Sequence, residues 1–99
     1  MALTEKQRKH LRGLAHALEP VILIGHGGLT SGVVLEATRA LNDHELIKVK
    51  ARAAGREARD AVFAGLAKRT GGELVHRIGH VCVLYKRRAE LPKIILPGA

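Results

Sequence analysis

Residues 21–30 read VILIGHGGLT, and the fold turns on how this stretch divides. Val21, Ile22, Leu23 and Ile24 form a continuous apolar run of the kind carried by a strand buried on both faces, so a central strand is expected here. Gly25, His26, Gly27 and Gly28 then make a sharp loop. Thr30 or Ser31 can cap a following helix, because a hydroxyl at that place accepts from the free N–H groups of the first turn. A strand, a glycine loop and a capped helix in succession return the chain for another strand laid parallel to the first.

Upstream, Thr4 followed by Gln7 has the spacing of a capping box. Leu11, Leu14, Ala15 and Leu18 then recur at helical spacing as an apolar face, while Lys6, Arg8, Lys9, Arg12 and His16 make the rest basic, and Pro20 ends the helix. Downstream of the glycine loop, Val33, Val34, Ala37 and Leu41 define the buried side of the second helix, and Asn42, Asp43 and His44 are expected to break it. Asp43 and Glu45 read as a turn and the start of a strand. Residues 46–51 alternate, with Ile47, Val49 and Ala51 on one face and Lys48 and Lys50 on a solvated, basic one.

A third helix is expected over residues 56–70, with Ala58, Val62 and Leu66 inward and Gly71 as a left-handed stop. Residues 74–78 and 81–86 are two further strands, joined at Gly79 and His80 by a tight hairpin. In the tail, residues 89–99, Pro92 and Pro97 flank the apolar Ile94, Ile95 and Leu96; the pattern is compatible with packing back on the domain or hanging free. The pattern predicts an α/β (α+β) fold in a single compact domain over residues 1–99. Its order is α-β-α-β-α-β-β, with a four-stranded mixed sheet and three helices. Residues 4–86 contain no repeat, low-complexity segment or linker.

Composition narrows the function. The 99 residues carry 17 Lys and Arg against 9 Asp and Glu, a formal charge of +8, so an acidic partner is expected. Nucleic acid fits better than a membrane surface, since with no Trp and one Phe the chain has few large apolar anchors for a helix lying on a bilayer. No apolar run reaches the roughly 18 residues of a membrane span, and the first twelve residues turn charged too early for a signal peptide. A cytoplasmic monomer is expected. Cys82, in an apolar run, reads as a small buried hydrophobe.

The glycine loop precedes a helix N-terminus, where free N–H groups and the positive end of the dipole favour a phosphate; the same glycines could simply permit a tight turn. A P-loop beginning at Gly27 needs Lys where Val33 stands, and a dinucleotide fingerprint beginning at Gly25 needs Gly where Thr30 stands. A Gly-x-x-Gly turn clamping backbone nucleotides, the mode of KH domains, is analogous. His26 can meet a phosphate or stack, and Tyr85 can stack on a base or pack. Lys86, Arg87 and Arg88 close the last strand and, with the basic first helix, can contribute to one phosphate-tracking surface. The His spacings form no metal-ligand pattern, no cofactor is implied, and no nucleophile and base constellation stands out. A small phosphate- or nucleotide-binding enzyme and a protein-interaction module are the alternatives.

Four segments, QRKHLRGLAH from Gln7, VILIGHGGLT from Val21, HELIKVK from His44 and TGGELVHRIGHVCVLYK from Thr70, together resemble the CRM domain (chloroplast RNA splicing and ribosome maturation) in its stand-alone bacterial YhbY form. The resemblance implies a fold similar to the C-terminal domain of bacterial initiation factor three and RNA binding through Gly25, His26, Gly27 and Gly28 with the neighbouring basic surface. It places Lys48 and Lys50 in the matching strand motif and implies a role with ribosomal RNA in precursor large subunits. Where members carry Arg or Lys at the position of His26, the charge is permanent; here the loop contact is expected to be weaker or pH-dependent.

Overall fold

The computed structural model describes residues 3–53 and 55–98; Met1, Ala2, Ala54 and Ala99, which the sequence reading included in the domain and its tail, lie outside the described residues. The capping box forms at the start of α1 (Glu5–Ala15): the Gln7 N–H donates to Thr4 Oγ1 at 3.1 Å, and the Thr4 N–H donates to Gln7 Oε1 at 3.0 Å. The helix stops at Ala15, before Leu18, and buries Leu11 and Ala15 with the stem of Gln7. Leu14 and Leu18, expected inward, are exposed.

The chain continues through β1 (Pro20–Ile24), α2 (Ser31–His44), β2 (Leu46–Ala51), α3 (Arg56–Thr70), β3 (Glu73–Ile78) and β4 (Val81–Tyr85), the anticipated order. The strands lie in the order β1-β2-β4-β3, with β1 parallel to β2 and the other pairs antiparallel. So β1 is an edge strand and not the central one its apolar run suggested. Ile22 and Ile24 point into the core while Val21 and Leu23 are exposed, and an apolar run reads alike whether its second face is covered or open.

Thr30 is the residue that caps α2, its hydroxyl accepting from Val33 N–H at 3.1 Å. Asn42, Asp43 and His44 do not break this helix; it runs through His44 and ends at Glu45, held at φ +63°. Gly71 closes α3 at φ +76° in the left-handed region, as expected, and Gly79 turns the hairpin at φ +56°. On α3 the buried residues are Phe63, Leu66, Ala67 and Thr70, while Ala58 is exposed.

Both faces of the sheet are covered, unequally. On one, α2 and α3 pack Ala37, Leu41, Phe63 and Leu66 against Ile22, Ile24, Ile47, Val49 and Leu84. On the other, α1 lies over Leu46, Val75, Val83 and Tyr85, so the side of β2 expected to be solvated is partly covered: Leu46 is buried, Lys48 half-buried and Lys50 exposed. The tail joins this second cluster through Ile94 and Leu96. Its anchor is the buried Glu45 carboxylate, which accepts from the N–H groups of Lys93 (2.6 Å), Ile94 (2.7 Å) and Arg88 (2.7 Å). Burial alone would raise the pKa of Glu45, but these N–H groups and the Arg88 charge hold it below its ordinary value. Reading Glu45 as a simple strand start missed this role, because its partners lie more than forty residues away.

Candidate nucleic-acid interface

The glycine loop emerges at one end of the sheet. Ile24 pairs with Ala51, and Lys50 pairs with Val81, so the ends of β1 and β2 and the start of β4 share that end. Because β1 and β2 are parallel and each is followed by a helix, α2 and α3 both begin there. Their N-termini bring the positive ends of two helix dipoles to one edge, an arrangement that favours an anion. The first turn of α2 holds no acidic residue, whereas α3, with Gly55 as its N-cap and no side-chain cap, carries Glu57 in its first turn.

Gly25, His26 and Gly27 are exposed and Gly28 is half-buried. The Gly28 N–H donates to Gly25 O at 3.1 Å, closing the turn, and Gly28 sits at φ +72°, a conformation that favours glycine. Among the described residues beyond its chain neighbours, no heavy atom lies within 4 Å of where a Cβ would stand on Gly25 or Gly28, so the loop's outer side is open. It borders a hollow of about 290 Å³ shared with His26, Arg52, Ala58 and Val62.

Arg52 is the cation that the sequence reading missed. It follows β2, its N–H donates to Ile24 O at 2.8 Å, and it is exposed at the loop's side. The parallel register of β1 on β2 brings it there, and the spacing of Lys48 and Lys50, which Arg52 continues two residues on, was the available hint. Two α3 residues fix the far side of the loop through Leu29. Arg69 Nη1 donates to Leu29 O at 3.1 Å, and the Leu29 side chain packs against Gly65, where a Cβ would lie 2.8 Å from Leu29 Cδ1 and require that side chain to shift.

The other basic residues separate into groups. Lys6 and Lys9 are exposed on α1. Arg8 ties α1 to β3, its Nη1 donating to Leu74 O at 2.6 Å and to Val75 O at 3.3 Å. Arg12 is half-buried and shares a groove with Lys48, whereas Lys50 stands in the open nearer the loop. Lys86, Arg87 and Arg88 leave the sheet at its opposite end, where Leu46 pairs with Tyr85; five residue steps along β2 take that end to Ala51, about 17 Å. Lys86 Nζ donates to Thr70 O at 3.0 Å, where it meets the last turn of α3 and offsets the negative end of that dipole. Arg87 lies near Thr4 and Gln7 of α1 around a cavity of about 650 Å³. Structure thus joins Arg52 to the glycine loop, leaves Lys50 exposed on the other sheet face beside Leu23, and sets Lys86, Arg87 and Arg88 at the opposite end.

Two other side chains are settled by burial. Tyr85 is 1% exposed and cannot stack on a base, which removes that role from the sequence reading. Its phenol is pushed up by burial and by the Glu45 charge, and its hydroxyl has no hydrogen-bond partner among the described residues. Cys82 is fully buried, and burial pushes its thiol up to about 12, against the opposing charge of Arg77. Among the described residues no group of three or more His, Cys, Asp or Glu could hold a metal ion, and no helix is long and apolar enough to cross a membrane.

Comparison with known proteins agrees on this framework. The model of the CRS1 / YhbY (CRM) domain family matches residues 3–86. An RNA-binding protein of Haemophilus influenzae is 47% identical over 95 residues, covering 96% of this chain and 95% of its own. A probable RNA-binding protein of Bacillus subtilis is 38% identical over 95 residues, covering 96% and 99%. The solution structure of a Staphylococcus aureus protein matches with a TM-score of 0.84 at 34% identity, over 97% of this chain and all of that one. The chain belongs to the CRS1/YhbY (CRM) domain family.

Proposed function

We propose that the protein binds RNA by seating a backbone phosphate at the Gly25 to Gly28 turn, with Arg52 and Lys50 beside it. Arg12 and Lys48 extend the contact along the flank, and Lys6 and Lys9 continue it along α1 toward the end where Arg87 lies. The observation that carries this reading is the meeting, at one end of the sheet, of an open glycine turn, two helix N-termini and an exposed Arg52. The net charge of +8 and the RNA-binding names of the relatives support it. The RNA is ribosomal RNA in precursor large subunits, on the strength of the resemblance to stand-alone YhbY proteins. The role is binding, without turnover or a cofactor. Lys86, Arg87 and Arg88 are secondary contacts, since they stand at the end of the sheet opposite the loop.

The test is a salt titration of binding to single-stranded RNA. If about five phosphates are neutralised, log affinity falls against log salt with a slope near −3.5, and Arg52→Gln reduces the steepness by about 0.7. A slope near zero refutes the reading. Crosslinking in cells with identification of the attached RNA tests the ribosomal assignment separately, and recovery of mainly non-ribosomal RNA overturns it.

A further inference from the structure

The α1 side of the sheet is left bare at the end nearest the glycine loop. Reading across the strands there, Leu23 pairs with Lys50, Lys50 with Val81, and Val81 with Ile78, all with side chains on that face. Leu23 is 51% exposed and Ile78 69%, so two large aliphatic groups stand in solvent on either side of a lysine. The row adjoins a groove of about 410 Å³ whose floor is Ile78, Val81 and Val83 and whose sides carry Arg12, His16, Lys48 and His76. Among the described residues no carboxylate lines that groove. Exposed apolar surface on a small protein can mark a binding face, and here it is flanked by the cations Arg12, Lys48 and Lys50 together with two imidazoles.

From this juxtaposition we infer that the bare sheet face is a platform for unpaired bases of the same RNA strand whose backbone is held at the glycine turn. The inference rests on the phosphate-binding reading above. Leu23 is two residues from Gly25, about 7 Å along the strand, so nucleotides next to the clamped phosphate reach the row directly. Lys50 and Lys48 meet the phosphates, and the aliphatic side chains take the base faces. This arrangement is sequence-tolerant, because each base presents an apolar face whatever its hydrogen-bonding edge.

The experiment compares a short uridine oligomer with an abasic ribose-phosphate oligomer of the same length, at one salt concentration, on the wild type and on Leu23→Ser combined with Ile78→Ser. Both substitutions are at exposed positions and leave the core intact. The wild type is expected to bind the uridine oligomer about tenfold more tightly than the abasic one. In the double variant that preference shrinks to within about twofold while the abasic affinity stays unchanged. Equal affinity of the wild type for both oligomers, or a preference that survives in the double variant, overturns the platform and leaves the phosphate clamp standing. Binding of neither oligomer by the wild type overturns the clamp, and the platform with it.

Discussion

Replacing Glu45 by Gln is a direct test of how the tail is held. The wild-type carboxylate accepts three backbone N–H groups, Oε1 from Lys93 and Ile94 and Oε2 from Arg88, at 2.6 to 2.7 Å. Bonds to a charged acceptor contribute about 1.5–3 kcal/mol each, against about 0.5–1.5 for neutral ones. The amide keeps Oε1 as a neutral acceptor, which weakens two bonds by about 1 kcal/mol each, and turns its NH₂ toward the Arg88 N–H, leaving a donor facing a donor at about 1–3 kcal/mol. Neutralising a buried charge returns part of its desolvation cost, so the net loss is about 3 kcal/mol, a large share of a typical small-domain stability. The folded pKa of Glu45 lies below its unfolded value. Its contribution is therefore complete above the ordinary carboxylate range and is lost as pH falls through the lowered folded value. Urea unfolding followed by circular dichroism, at neutral pH and at about pH 3, reads both effects: a gap of about 3 kcal/mol between wild type and variant at neutral pH, narrowing in acid. A neutral-pH gap below about 1 kcal/mol, or one that does not narrow in acid, refutes the reasoning.

Two further outcomes follow from the site and the core. Gly25→Asp adds a carboxylate at an open position without a positive φ, whereas Gly28→Asp adds the same charge at φ +72° and costs roughly 1 kcal/mol in strain. Both are expected to weaken RNA binding at least about fivefold, with only the second lowering stability; unchanged affinity in a folded Gly25→Asp protein removes the loop from the mechanism. Cys82, buried with its thiol pushed up to about 12, is expected to stay unmodified by a thiol reagent at mildly alkaline pH until the chain is unfolded, and rapid labelling of the native protein would contradict the packing.

The family and the element order could be read from residue order, and so could the place of the glycine turn between β1 and α2. The position of the basic groups could not. Lys86, Arg87 and Arg88 look like Lys6 and Lys9 in sequence, yet Lys86 closes a helix end at Thr70 while Arg52, unremarked in the pattern, stands at the loop. Gly65 reads as an ordinary small residue within a helix until Leu29 is found against it.

Local chemistry fixed the capping box at Thr4 and Gln7, the cap at Thr30, the stop at Gly71 and the hairpin at Gly79, because each is satisfied within a few residues of chain. Which strand lies at the edge, that α1 covers only half of one sheet face, that Tyr85 is sealed inside and that Glu45 holds the tail were decided by pairings across the whole molecule. Hydrophobic periodicity says which side of an element is apolar, but the partner that covers that side is chosen by strand register and helix packing, which join residues distant in sequence.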